Sequence, residues 1–252
     1  MAKFLFDSDE EFKLFMGETL AYNNMQNIVS KLVSFINPQY LIEFGSGSGA
    51  TSIRLAKENP STSVVAVDLR DKMVGIGSDH SSKNKIKNVT FVNGDLTKLD
   101  NYNLKNANLI LLMYSFKYIA DPVEVKYQFL KDIYDKMQSG AYLIIGETFV
   151  DDGMTKAQIR KQLEDTYYNN SKDVFWNSLK GLSDEDIKYA FDMQTINREH
   201  TKDQVDIGVD RDGIYYVSRE WLLNTAKQIG YKVVIGERLN SLSDAIFVMT
   251  KD

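Results

Sequence analysis

The sequence contains no cysteine. Disulfides, cysteine-rich zinc sites and thiol nucleophiles are therefore excluded by composition alone. It also lacks a long apolar run. The longest aliphatic stretch, Leu109-Ile-Leu-Leu-Met113, has the length of a buried strand and falls far short of the ~20 residues of a membrane span. Positive charge is not in excess either: 30 Lys and Arg against 35 Asp and Glu leave a net charge of −5. No global field draws such a chain to nucleic acid or to an anionic membrane. Histidine is scarce, with two residues. No His/Asp/Glu cluster shows metal-ligand spacing, so a metal-free site is expected. The apolar stretch Phe4-Leu-Phe6 is too short for a secretory signal, and the expected location is cytoplasmic.

What is present suits one sizeable core: 252 residues, of which 43% are hydrophobic. Met25, Ile28, Val29, Leu32, Val33 and Ile36 recur at helical spacing before Pro38. Short apolar runs follow at Tyr40–Phe44, Ser63–Val67, Val89–Val92, Leu109–Met113 and Ala141–Ile145, with helical patterns through Ile53 and Leu55 and around Phe129, Ile133 and Met137. Strands alternating with helices predict an α/β, doubly wound, mostly parallel sheet. Ser218 fits the N-cap of a late helix that Gly230 stops, and two strands, Lys232–Gly236 and Ala245–Met249, close the chain.

After Glu147, about seventy residues carry helical signals but no convincing strand, including a capping-box pattern at Ser183 and Asp186. The expected organisation is one domain over 1–252, with an N-terminal helical segment at 1–37 and a helical lid or insertion at 150–215. Residues 151–213 hold 14 acidic against 9 basic side chains, which accounts for the net charge of the whole chain. A solvated acidic face is the simpler reading, and a surface selecting a cationic substrate is the other.

Glu43-Phe-Gly-Ser-Gly-Ser-Gly49 follows a predicted strand and precedes a predicted helix, the context in which glycines admit close backbone approach of a nucleotide. By itself the loop fits a nicotinamide dinucleotide as well, since Gly45-x-Gly47-x-x-Ala50 matches that looser fingerprint. Asp68 ends the second strand, where a carboxylate can accept both ribose hydroxyl protons. An acid at the end of the third strand, in Gly94-Asp95-Leu96, separates the two readings.

With these three motifs in order, the sequence resembles the class I S-adenosylmethionine-dependent methyltransferase family. That resemblance implies a seven-stranded Rossmann-like sheet with an antiparallel C-terminal strand, and S-adenosylmethionine as cofactor. It implies that Gly45, Ser46 and Gly47 lie along the methionine part, Asp68 holds the ribose, and Asp95 with Leu96 brackets adenine. Met73 would pack on the adenine face and Glu43 would order the loop, while Leu69 and Met113 complete the expected lining. A narrower likeness is to the carboxy-S-adenosylmethionine synthase branch, carried by the helix containing Tyr22 and by Gly146-Glu147-Thr-Phe after strand five. It adds Tyr22 to the cofactor residues.

The carboxyl ends of strands face the ligand crevice in such folds. Tyr114 and Phe116, after strand four, are therefore expected at the acceptor. An Asn/Asp-Pro-Pro-aromatic signature, common to methyltransferases of adenine or amide nitrogen, is missing there. Glu147, Tyr114 and His200 are the candidates for catalysis, and Tyr167, Tyr168 and Trp176 for an aromatic lid over the acceptor. His80 reads as a surface loop residue. The expected activity is in-line methyl transfer to a small molecule. Alternatives are an enzyme that modifies or cyclises the cofactor or serves tRNA wobble-uridine modification, and a non-catalytic binder. Apart from that tRNA pathway, nucleic acid and membrane partners are not expected; a homodimer stays open.

Overall fold

The computed structural model describes residues 20–119, 123–164, 215–239 and 244–252. The first described helix, α1 (Leu20–Ile36), leads into β1 (Tyr40–Phe44), α2 (Ala50–Glu58), β2 (Ser63–Asp68), α3 (Asp71–Lys83) and β3 (Val89–Asn93). Then come β4 (Leu109–Met113), a 3-10 turn at Phe116–Tyr118, α4 (Val123–Lys136), β5 (Tyr142–Thr148) and α5 (Lys156–Glu164). The chain closes with α6 (Arg219–Ile229), β6 (Lys232–Arg238) and β7 (Asp244–Thr250).

The seven strands form one sheet in the order β3-β2-β1-β4-β5-β7-β6. All neighbouring pairs are parallel except those made by β7, which runs antiparallel to both β5 and β6. From β1 the chain winds outward to β2 and β3, then returns to pair β4 on the other side of β1. That reversal opens a crevice between the carboxyl ends of β1 and β4, where α/β sheets take ligands. Because β7 is antiparallel, its first residue, Asp244, pairs with Thr148 at the end of β5 and so lies at this same edge.

Alternation along β1 sets the two faces. Ile42 and Phe44 join a core with Phe129, Leu130 and Ile133 of α4 and Leu222 and Ala226 of α6. Leu41 joins the opposite core, with Met25, Val29 and Val33 of α1 and Leu55 and Ala56 of α2. Both faces are covered, which is why the central strands read as unbroken apolar runs. The helix ends follow sequence signals. Asn37, at φ 49°, stops α1 just before Pro38, its N–H donating to Val33 O at 2.8 Å. Ser218 Oγ accepts from Trp221 N at 2.9 Å, and Gly230 at φ 113° ends α6.

One helix, α3, goes unnamed by periodicity. It buries only Met73, Gly77 and Ser81, so it offers almost no apolar stripe to read. Its glycine is a packing requirement: a Cβ at Gly77 would fall 2.3 Å from the Phe91 ring of β3. His80 lies in the last turn of this helix, which corrects its reading as a loop residue. The expected lid lies largely outside the described residues; of it, α5 and the segment joining Tyr215 to α6 are described.

Candidate active site

The loop after β1 is shaped by three left-handed glycines, Gly45 at φ 72°, Gly47 at 55° and Gly49 at 82°. Each serves a different end. A Cβ on Gly45 would lie 2.3 Å from Ser115 Cβ, so glycine lets the ends of β1 and β4 close on one another. At Gly49 it would strike the Phe91 ring at 2.3 Å, so that glycine seats α2 against the sheet. Gly47 has nothing within 4 Å of such an atom, and its conformation alone requires glycine.

Backbone groups hold the loop open. Gly45 N and Ser46 N both donate to Val67 O, at 2.8 and 2.9 Å, and Gly47 N donates to Asp68 Oδ2 at 2.7 Å. Asp68, 8% exposed at the end of β2, accepts from Arg70 N at 2.9 Å through its other oxygen. Ser46 Oγ and Ser48 Oγ are buried with no hydrogen-bond partner among the described residues. Orphaned hydroxyls beside an uncrowded glycine and a carboxylate make a surface of donors and acceptors waiting for a polar ligand. This set fits the amino-acid and ribose parts of S-adenosylmethionine.

Glu43 lies beneath the loop, 1% exposed, and accepts from Ser52 Oγ of α2. Burial pushes its carboxyl up to about 7; the Ser52 hydrogen bond opposes this and the nearby Asp68 adds to it. Glu43 thus orders the loop from below. At β3, Asp95 Oδ1 accepts from Thr97 N and Thr97 Oγ1 at 2.8 and 2.7 Å, while Leu96 packs on the core. Asn93 ties this end to β2, its Nδ2 donating to Leu69 O at 3.0 Å. Leu69 is 65% exposed, and Met73 and Met113 are buried. Met113 and Met25 flank Gly146, where their sulfurs would lie 2.9 and 2.7 Å from a Cβ. Tyr22 belongs to the first turns of α1, but its side chain lies outside the described residues.

Across the crevice, Tyr114 follows β4 at φ 53°, a left-handed conformation uncommon for a side-chain-bearing residue. Its hydroxyl donates to Asp244 Oδ2 at 3.1 Å. Glu147 is buried and engaged: Lys117 Nζ at 3.1 Å, Lys117 N at 3.2 Å and Thr148 N at 2.8 Å all donate to it. Phe116 is 1% exposed and packs in the core beside Phe129, away from the crevice surface. Tyr167, Tyr168, Trp176 and His200 lie outside the described residues. The structure therefore gathers Glu43, the glycine loop, Asp68, Tyr114 and Glu147 along one edge, and adds Lys117, Thr148 and Asp244. Asp244 carried no motif; only the antiparallel register of β7, joining residues 130 apart, brings it to Tyr114.

Among the described residues, no group of three metal-ligating side chains converges, and no helix is long and apolar enough to cross a membrane.

The family model described as a methyltransferase domain matches residues 39–210. A carboxy-S-adenosyl-L-methionine synthase of Nautilia profundicola is 22% identical over 158 residues, 62% of this chain and 64% of that protein. A release factor glutamine methyltransferase of Fusobacterium nucleatum is 31% identical over 93 residues, 35% of this chain and 26% of that one. The matched part thus spans less than two thirds of either curated relative. Among solved structures, human N-acetylserotonin methyltransferase in complex with SAM superposes with a TM-score of 0.54 at 16% identity, covering 96% of this chain and 56% of that one. Strand order, glycine loop and family match agree: the chain belongs to the methyltransferase-domain family, of the class I type that uses S-adenosylmethionine.

Proposed function

We propose that this chain transfers a methyl group from S-adenosylmethionine to a small-molecule acceptor. The observation that carries the reading is the donor pocket: the uncrowded Gly47, the Asp68 carboxylate and the unpartnered hydroxyls of Ser46 and Ser48, grouped at the switch point of the sheet. When bound, the cofactor supplies an electrophilic methyl carbon on a sulfonium.

The protein's own residues position and shield. Asp68 accepts the ribose hydroxyls, and Gly45, Ser46 and Gly47 line the amino-acid part, with the Ser46 hydroxyl as the available hydrogen-bonding group. Glu43 holds the loop from beneath, Met113 supplies an apolar wall, and Tyr22 of α1 is the further cofactor residue that the likeness to the carboxy-S-adenosylmethionine synthase branch adds. Leu69, Met73, Asp95 and Leu96 enclose the adenine. Tyr114 stands on the acceptor side. Holding the acceptor atom close and in line is the larger part of catalysis in such a displacement. A helical insertion at 150–215 within a single domain would enclose the acceptor, with Tyr167, Tyr168 and Trp176 as its aromatic wall and His200 as a further base. Its acidic balance, the net charge of the chain and the missing Asn/Asp-Pro-Pro-aromatic signature favour a metabolite over a nucleic acid or a protein amide.

Calorimetry with S-adenosylmethionine tests the pocket. Binding is expected, and Asp68→Ala should weaken it at least tenfold; no binding, or an unchanged Asp68→Ala, would sink the proposal. Methyl-labelled cofactor incubated with separated metabolite and tRNA fractions then tests the acceptor, and label in the tRNA fraction would refute the metabolite reading. The match to the carboxy-S-adenosyl-L-methionine synthase favours a second reading, chemistry on the cofactor itself. Mass spectrometry of ligand released from the purified protein decides it: an added group or a ring on the cofactor supports that reading, and the unmodified cofactor or its demethylated product counts against it.

A further inference from the structure

Two carboxylates are buried on the acceptor side, and they are held in different ways. Glu147 accepts from the Lys117 ammonium and from two backbone N–H groups. The acceptor capacity of such a carboxylate is taken up by a cation and two backbone donors. Asp244, 3% exposed, accepts from two neutral hydroxyls, Thr148 Oγ1 at 2.7 Å and Tyr114 Oη at 3.1 Å.

Tyr114 joins this buried acid to the crevice. Its ring is only partly buried, and Ser115, the next residue, abuts Gly45 of the donor loop. Ser115 is itself anchored, Oγ donating to Phe44 O at 2.7 Å. Lys117 Nζ stands 5.2 Å from the Tyr114 ring centroid, within cation-π range. The left-handed backbone at Tyr114 costs roughly 1 kcal/mol or more, and strain of that kind persists where the surroundings hold a side chain in one place.

We propose that Tyr114 and Asp244 form a proton relay that deprotonates the acceptor, and that the acceptor is consequently a phenol-type hydroxyl. The inference rests on the methyl-transfer reading above. As the acceptor's O–H proton moves to Tyr114 Oη, the proton already on Tyr114 moves to Asp244 Oδ2. The acceptor oxygen forms its bond to the methyl carbon while that carbon's bond to sulfur breaks, the electron pair staying on sulfur. The proton on Asp244 leaves to water after turnover.

Chemistry selects the hydroxyl class. A proton passes through a phenol at least cost from a donor of similar acidity, and free phenols titrate near 10, as tyrosine does. Aliphatic alcohols hold theirs far more tightly, and tertiary amines, thioethers and carboxylates have none to give; thiols, at about 8.5, ionise without a relay, and an ammonium group, though of similar acidity, would bring a positive charge beside the sulfonium and Lys117. Asp244 is suited to receive one: burial raises its carboxyl to about 6, with Glu147 adding to the rise and Thr148, Tyr114 and Lys117 opposing it. The relay is therefore open above about pH 6 and closed below it. In this assignment Tyr114 is the catalytic residue and Asp244 its positioning partner.

The test has three arms. Calorimetry with S-adenosylmethionine is expected to give matching affinities for the wild type, Tyr114→Phe and Asp244→Asn; loss of binding in the wild type would defeat the methyl-transfer reading instead. In protein labelled with ring-13C tyrosine, one resonance should shift in a single step near pH 6 and lose that step in Asp244→Asn and Tyr114→Phe. Absence of the step overturns the relay whether or not an acceptor is known. With methyl-labelled cofactor and a metabolite extract, label is expected in aryl methyl ethers, with kcat reduced about 10²- to 10⁴-fold in Tyr114→Phe and little change in KM. In the wild type, kcat should rise through about pH 6, and Asp244→Asn should remove that limb. Label in N-, S- or C-methyl products, or full activity in both variants, overturns the proposal.

Discussion

On the donor side of the crevice, between β1 and β2, the loop is held largely by backbone: Gly45, Ser46 and Gly47 direct their N–H groups at Val67 O and Asp68. On the acceptor side, between β4, β5 and β7, the edge is held by side chains: Tyr114, Lys117, Glu147, Thr148 and Asp244 bond mainly to one another. A backbone-held loop depends on a few dihedral angles. A side-chain network depends on partners delivered by strands far apart in sequence, and should fail when any one of them is removed.

The largest expected effect comes from breaking the network. Lys117→Met leaves Glu147 as a buried, unpaired carboxylate, and destabilisation of about 3–5 kcal/mol is expected by denaturant unfolding. The double variant Lys117→Met/Glu147→Leu should recover most of that loss. If the single variant costs less than about 1 kcal/mol, the acceptor side does not behave as a network.

The backbone side breaks differently. Gly45→Ala puts a methyl 2.3 Å from Ser115 Cβ at φ 72°, and about 3 kcal/mol should be lost from overpacking and left-handed strain together. Gly140→Ala has a similar φ, 77°, with nothing within 4 Å, and should cost only about 1 kcal/mol. Equal losses in the two variants would show that conformation, not the approach of β1 to β4, explains Gly45.

This contrast also explains how much could be read from sequence. The loop after β1 and the strand ends beside it are legible because their requirements are local: a strand, glycines at fixed spacing, and acids at strand ends. Phe116 looked like a crevice residue by position, yet the 3-10 turn at Phe116–Tyr118 carries it into the core against Phe129. Asp244 is invisible in the sequence because its place at the crevice edge arises from pairing with Thr148, 96 residues earlier, and no spacing rule spans that distance. Helix α3 was missed since its contact with the sheet is a glycine under an aromatic ring, not an apolar stripe.

Glu43 sharpens the comparison from the donor side, where it is buried more deeply than Asp68, 1% against 8% exposed. Its folded-state carboxyl titrates at about 7, raised from 4.5, so the folded chain keeps a proton that the unfolded chain releases. That stabilisation is complete below about pH 4.5 and is lost as pH rises through about 7. Gln at this position still accepts from Ser52 but cannot ionise. Glu43→Gln should match the wild type at pH 4 and exceed it at pH 8 by roughly 2–3 kcal/mol. Equal stability at both values would mean that Glu43 ionises in the fold without penalty.

The smallest effect lies outside both regions, at the start of α6. Ser218 Oγ accepts from Trp221 N at 2.9 Å, and Ser218→Ala should cost about 1 kcal/mol, the usual worth of an N-cap. Ser218 also pairs with Val150 in a short bridge just beyond β5, so the cap fixes where α6 begins relative to the acceptor edge. Its loss should lower the melting temperature by a few degrees while leaving S-adenosylmethionine binding unchanged, because the donor loop shares no hydrogen bond with α6. A fall in cofactor affinity in Ser218→Ala would show that the two sides are coupled through the sheet, and that the division between backbone and side-chain halves is less complete than their hydrogen bonds suggest.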